Sequence, residues 1–369
     1  MSDNKPVALR FLPQEEAIEA GLTDMDRCVE RMGYVFELYN QGRVIMGDPG
    51  QDIHGHLTTF PGGLEHDEGL EAGPDRRFTA MPAFVGGDIR KMGIKWYGSN
   101  VTNPEKRGLP RSLHTITLND PDSGQPLFLM DGGASSAMRT GAMAGLGAER
   151  IQGGRATTAA IVGPGVVGQT SALGLDSALG SLEEIRIVHP ERWKAEAFEA
   201  EMRADIEATI TPTDSVEDAV RGADVTVVAT TADPPVAIDG SWLKDDTLVI
   251  PLGDLRMPLG AFDADRVFCD IRENTLEFAA GFDWEITNAV GAAVEYGVGL
   301  DIGRGDLRAL HEIVGGEDTE PTDGTSILYS PGLPMEDVAW ADEVYRNAVE
   351  EDLGQTLRMF SEPYFSKPY

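Results

Sequence analysis

The alternation of apolar and polar positions changes character once along the chain. Over residues 14–42 apolar side chains recur at helical spacing through Val29, Met32, Val35 and Leu38. Thr23 and Asp24 are the candidate caps, and Asn40-Gln41-Gly42 is the stop. Residues 46–77 are rich in Gly, Pro, Asp and His with little period, which predicts loop with one or two short strands. Strand-like runs follow at 78–84, 93–97, 113–118 and 126–130. The last two flank Asn119-Asp120-Pro121-Asp122-Ser123-Gly124, a turn signal that makes them a hairpin. A helix rich in Ala and Met is predicted over 135–151, capped by Ser135 or Ser136.

From Arg155 onward the rhythm becomes strand–helix alternation, the mark of a parallel α/β sheet. Strands are predicted at 159–162, 185–188, 224–229, 247–251 and 267–270, and helices at 166–179 and 191–207. A final helix spans 335–351, with Trp340, Val344 and Val349 on spaced faces. The fold class read from this is α/β, with a doubly wound Rossmann domain after a strand-rich segment.

Composition narrows the partners. The chain has 369 residues, enough for two domains of ordinary size, and 41% of them are hydrophobic. No apolar run reaches the about 18 residues that span a bilayer, and the first ten residues carry no export signal, so the expected location is the cytoplasm. Acids outnumber bases 62 to 30, for a net charge of -32, which excludes nucleic acid and anionic membrane as partners. The acids are dispersed, as a hydrated surface adapted to concentrated salt would have them, or as in an ordinary acidic enzyme. Cys28 and Cys269 make no disulfide framework and read as buried small hydrophobes. His54-Gly55-His56 has no third and fourth ligand at a recognisable spacing, so it reads as loop packing and no metal is expected.

One motif carries chemistry by its context. A buried strand ending at Val162 turns through Gly163-Pro164-Gly165-Val166-Val167-Gly168 into a helix. Gly163 allows the turn, Gly165 lets backbone approach a pyrophosphate, and Gly168 lets helix and strand pack closely. Val166 and Val167 open the helix, whose N-terminus attracts negative charge. A dinucleotide is therefore expected here. An acid roughly 20 residues further on would bind the ribose of NAD. His189 stands at the end of the second strand, followed by Pro190, Glu191 and Arg192. Arg192 can meet a 2′-phosphate and Glu191 can serve a ribose, so NAD and NADP both stay open.

An ordered set of further motifs resembles the ornithine cyclodeaminase/mu-crystallin family. It comprises Met81-Pro82-Ala83, Gly93-Ile94-Lys95-Trp96, Gly108-Leu109-Pro110, Met138-Arg139-Thr140-Gly141-Ala142, Pro251-Leu252-Gly253-Asp254 and Ser330-Pro331-Gly332-Leu333-Pro334. The resemblance runs from about residue 78 to 350. It implies a Rossmann domain at 131–324 inserted into an α+β substrate and dimerisation domain made of 1–130 and 325–369, in a homodimer. It implies that Lys95 binds the substrate carboxylate, that Arg139 meets that carboxylate or the cofactor phosphates, that Pro331 stands beside the substrate, and that Asp254 is the catalytic acid–base group. Thr230, Thr231, Leu252, Gly253 and Ser330 match cofactor contacts.

The implied activity is conversion of L-ornithine to L-proline and ammonia, within the wider class of NAD- or NADP-dependent enzymes acting at the α-carbon of an amino or imino acid. A plain alanine dehydrogenase or cyclic ketimine reductase, and a mu-crystallin-like ligand-binding protein, are the alternatives. The sequence departs from the family twice. Pro258 comes four residues after Asp254 rather than two, and no arginine stands about a dozen residues before Met81-Pro82, in the interval 64–71. Arg76 and Arg77 are too close to fill that place.

Overall fold

A computed structural model describes residues 6–47, 53–60, 76–281, 284–314 and 324–364. The interval 64–71 lies outside the described residues. The chain divides into two compact units, one of Met1–Thr23, Gly42–Ser136 and Pro334–Tyr369, the other of Asp24–Gln41 and Ala137–Leu333. Three assignments differ from expectation: residues 131–136 stay with the chain-end unit, and two segments expected there belong to the other. The helix Met25–Asn40 buries Cys28, Met32, Val35 and Phe36 and packs with the helices Val166–Ala178 and Leu310–Val314, so it belongs to the parallel-sheet unit. Residues 326–333 stay there too, because Ser326–Tyr329 is a strand of that sheet.

In the chain-end unit the predicted strands appear as Arg77–Val85, Lys91–Ser99, Ser112–Asn119 and Pro126–Asp131. They pair antiparallel in sequence, and Pro126–Asp131 also pairs parallel with Val7–Leu12, which carries the last strand, Gln355–Phe360, on its other edge. The exposed strand His56–Thr59 and the short Val44–Ile45 lie along the far edge, beside Arg77–Val85. Burial alternates along the central strands, so Thr79, Met81, Ala83 and Val85 share one face with Gly93, Lys95 and Tyr97. The helix Pro334–Glu350 covers that face. The predicted 14–42 helix is broken in two, Gln14–Glu19 and Met25–Asn40, and Asp24 caps the second by accepting from the Arg27 N–H. The long helix starts at Gly133, before either predicted serine cap. Asp131 serves its first turn instead, accepting from the Gly133 N–H at 3.2 Å.

The other unit is built on a fully parallel sheet. Its spatial order is Thr209–Thr213, Glu184–Val188, Thr158–Val162, Val225–Val228, Leu248–Pro251, Ser326–Tyr329, Val267–Cys269 and Arg308–Ala309. The first strand in sequence, Thr158–Val162, lies inside the sheet. The next two build outward on one side and the rest on the other, so the winding reverses between Thr158–Val162 and Val225–Val228. A doubly wound sheet opens its ligand crevice at such a reversal. The predicted 191–207 helix stops at Met202, and its tail gives way to the edge strand Thr209–Thr213, where Pro212 is tolerated.

Two helices of this unit touch backbone to backbone. A Cβ on Gly145 would lie 2.0 Å from the Gly174 carbonyl oxygen, and one on Gly174 would lie 2.0 Å from that of Gly141. Gly141, one of the residues carrying the family resemblance, therefore has a packing role. Replacing Gly174 by Ala should cost about 1–3 kcal/mol and lower the urea midpoint. Gly180→Ala, where a Cβ meets nothing within 4 Å, should leave the midpoint unmoved; equal effects of the two substitutions would rule out the crossing as the cause.

Candidate functional site

Because every strand of the second sheet runs the same way, the turns that leave its strands stand along one edge. The turn at the centre is the glycine loop. Gly163 has φ +113°, and a Cβ there would strike the Ala229 carbonyl oxygen at 2.5 Å; one on Gly168 would strike the Gly163 oxygen at 2.0 Å. Both glycines are demanded by the protein's own packing. Gly165 is not, because a Cβ there meets no protein atom within 4 Å. Space with no protein neighbour, at the start of a 13-residue helix, is what a pyrophosphate lying on backbone requires. Val166 follows with 62% exposure, and Val167 is half-buried. These residues fit a dinucleotide.

One strand outward, His189 accepts the Glu191 N–H at Nδ1, 3.0 Å away. Arg192 begins the next helix and donates to Glu196 at 3.0 Å and to Asp214. On the other side of the reversal, Thr230 is half-buried and accepts from the Ala232 N–H at 3.2 Å, while Thr231 is exposed. Leu252 donates its N–H to the Val228 oxygen, and Gly253 is pressed on the next turn so closely that a Cβ would sit 2.2 Å from the Thr230 oxygen.

Asp254 follows. Its Oδ1 accepts from the Leu255 N–H at 2.9 Å and from the Ile286 N–H at 3.3 Å, the latter in the first turn of the helix Glu285–Tyr296. That helix start is tied down by Arg256, whose guanidinium forks onto Glu285 at 2.7 and 2.6 Å. The departure from the family's proline thus has a structural meaning. Arg256 stands where the family has proline, in a short strand with Leu255 that pairs parallel to Val236–Ala237.

Further along the edge, the structure brings together four residues named from the sequence and one that was not. Ser330 donates to Asp270 from Oγ at 3.3 Å, Pro331 is half-buried, and the Gly332 N–H donates to the same carboxylate at 3.3 Å. The buried Arg139 guanidinium lies against Gly332, where a Cβ would be 2.3 Å from Nη1. Asp270 itself was missed. It is fully buried, and burial pushes its carboxyl up to about 6, although Ile271, Asn274, Gly332 and Ser330 all donate to it. The signal was an acid closing the 267–270 strand, where a sheet-buried chain ordinarily avoids charge.

The chain-end unit holds Lys95. Its ammonium, 1% exposed as a residue, lies 2.7 Å from Asp337 and donates to Ser136 Oγ at 3.2 Å. Gly93, two residues earlier on the same face, allows the approach, since a Cβ there would meet Val338 at 2.7 Å. Asp337 belongs to the first turn of its helix, where the dipole favours an acid. Arg77 was set aside in the sequence as misplaced, yet register puts it on the same sheet face. Its guanidinium carbon is 5.9 Å from the Tyr97 ring centre, and Lys95 Nζ is 5.6 Å from it. Burial alone would raise the Tyr97 phenol; the charges of Arg77 and Lys95, together with hydrogen bonding to Thr79 and Arg77, outweigh it and leave the phenol below its ordinary range.

The ornithine cyclodeaminase/mu-crystallin family model matches residues 23–352. The chain belongs to this family. Named proteins resemble the chain over most of its length. The N-((2S)-2-amino-2-carboxyethyl)-L-glutamate dehydrogenase of Staphylococcus aureus is 26% identical over 304 residues, 77% of this chain and 82% of the relative. The alanine dehydrogenase of Archaeoglobus fulgidus is 28% identical over 360 residues, 95% of this chain and 98% of the relative. Among solved structures, the Thermococcus litoralis Δ1-pyrroline-2-carboxylate reductase in complex with NADH and L-proline superposes with a TM-score of 0.76 at 23% identity, covering 95% of this chain and all of that one. At that identity the superposition bears on the fold.

Asp270 gives the site a pH signature. A carboxyl whose folded value is raised from 3.8 to about 6 stabilises the fold fully below the lower value and loses that contribution as pH rises through the upper one. Relative to Asp270→Asn, which cannot titrate, the wild type should lose stability between pH about 4 and about 6 and stay level above, by on the order of 3 kcal/mol. Urea midpoints of the two proteins across that range measure it. A wild type that gains on the variant as pH rises would refute the buried-charge account.

Proposed function

We propose that the chain is a nicotinamide-dependent enzyme acting at the α-carbon of an amino or imino acid, with Asp254 as its proton carrier. The observation that carries this reading is the placing of a dinucleotide-fitting glycine loop and a fixed carboxylate on the same edge of one parallel sheet, at and beside its reversal. Bound cofactor would supply the hydride acceptor or donor. Asp254 has one oxygen fixed by two N–H groups, so its other oxygen can take a proton from a substrate ammonium. The freed nitrogen lone pair would then help hydride leave the α-carbon for the bound cofactor, giving a protonated imine, reduced cofactor and one proton held on Asp254. In reverse, Asp254 returns the proton. In the chain-end unit, Lys95, held in place by Asp337, is the residue that the family resemblance offers to a substrate carboxylate, and Arg77 is a second cation on the same sheet face. Arg77 is an addition to the family-based expectation, which also has Arg139 and Pro331 at the substrate.

The two sequence relatives described above are named as dehydrogenases, which supports a reading with net oxidation or reduction. Conversion of ornithine to proline differs in its balance, since hydride given up in the first half returns in the second and no reduced cofactor accumulates. The homodimer is also our proposal. Trp96, Met92 and Leu113 stand on the outward face of the central strands, 45%, 38% and 50% exposed, an apolar patch suited to a second copy.

Absorbance of the reduced cofactor, followed with alanine, proline and ornithine each in turn, separates the readings. A dehydrogenase accumulates it in proportion to product, whereas a cyclodeaminase forms proline and ammonia with none. Asp254→Asn should lower kcat by about 10²–10⁴ and leave dinucleotide affinity within about twofold; full activity in the variant would remove Asp254 from the chemistry, and a wild type that binds dinucleotide but turns over none of the three would favour a binding protein. Light scattering should give twice the chain mass, and Trp96→Asp should shift it toward one; a monomeric wild type would end the dimer proposal.

A further inference from the structure

The corner of the sheet beyond the glycine loop carries more charge than a ribose needs. His189 and Asp214 follow the ends of two adjacent parallel strands, in which Val188 pairs with Thr213. Arg192 is the one cation that the sequence offers to a 2′-phosphate. It is held by Glu196, one helical turn on, and by Asp214 from the neighbouring strand end. Those two hydrogen bonds, with the charge of Asp214, keep the guanidinium firmly protonated and engaged. The second cation, Lys194, lies 2.5 Å from Glu191, which Trp193 Nε1 also approaches at 3.3 Å. Three carboxylates, Glu191, Glu196 and Asp214, thus face two cations, Arg192 and Lys194, and the corner is left one negative charge in excess.

We propose that this corner selects NAD against NADP, and that Asp214 is the residue that sets the choice by engaging Arg192. The inference rests on the dinucleotide reading given above. Exposed ion pairs are individually weak, so Arg192 alone could turn to a phosphate. What opposes the phosphate is the rest of the corner. Turning Arg192 away leaves Asp214 and Glu196 uncompensated beside a group carrying almost two negative charges, on a chain whose net charge is already -32. The unphosphorylated ribose brings no charge and asks Arg192 for nothing. The sheet geometry fits, because the adenosine ribose in such a fold lies at the end of the second strand, here at His189.

Calorimetric titration of the full chain with NAD+ and with NADP+, at one fixed ionic strength, tests this without any turnover. The wild type should bind NAD+ at least about tenfold tighter, a difference of about 1.4 kcal/mol. Asp214→Asn should tighten NADP+ several-fold and leave NAD+ unchanged, and adding Arg192→Ala to that variant should cancel the gain. Equal or tighter binding of NADP+ by the wild type, or a variant that moves both dinucleotides alike, would overturn the role of Asp214 while leaving the glycine loop's role intact. Binding of neither dinucleotide by the wild type would instead overturn the proposed function, and this inference with it.

Discussion

Parallel pairing of eight strands is the constraint on which the rest of the second unit depends. A parallel neighbour can be reached only by a crossover, so each strand must end in a turn on the same side of the sheet as every other. Chemistry scattered over 170 residues of sequence is thereby gathered on one line. His189, Gly163, Thr230, Gly253, Ser330 and Asp270 follow, in that spatial order, the carboxyl ends of successive strands. The close helix contacts at Gly141, Gly145 and Gly174 serve the same end, for they let the helix after the glycine loop lie flat against its neighbour.

The chain-end unit meets a different constraint. One face of its sheet must be covered, yet that face carries Lys91 and Lys95 along with apolar side chains. The covering helix answers each with a buried acid, Asp342 at 3.4 Å from Lys91 and Asp337 at 2.7 Å from Lys95. Taking such pairs out of water costs several kcal/mol per ion, so they are poor candidates for stabilising devices and better read as specifying where the lysines sit. The large surface excess of acid is a separate matter and does not touch this interior arrangement.

The sequence was most legible where backbone geometry forces a residue type. The glycine loop, the strand alternation around Lys95 and the parallel sheet's main strands all follow from local rules, and the structure has them within a residue or two. The edge strand Thr209–Thr213 was hidden because Pro212 and polar threonines erase its apolar signal. Ser326–Tyr329 went unpredicted between the Gly-, Asp- and Thr-rich run before it and Ser330-Pro331-Gly332 after it, and its loss from view moved the predicted domain boundary. The helix Met25–Asn40 was read as the larger part of one longer helix and given to the other unit, since an apolar stripe does not say what it packs against. Arg77 and Asp270 were missed for a shared reason. Their surroundings are assembled by cross-strand pairing and by turns distant in sequence, so no spacing along the chain announces them.

The contact between Gly253 and the Thr230 oxygen bears on how this enzyme could diversify. The turn that presents Asp254 and the turn beside the dinucleotide reversal share one close backbone contact, with no side chain between them to absorb a change. An alteration in either is transmitted to the other at once, so the two must be inherited as a single part.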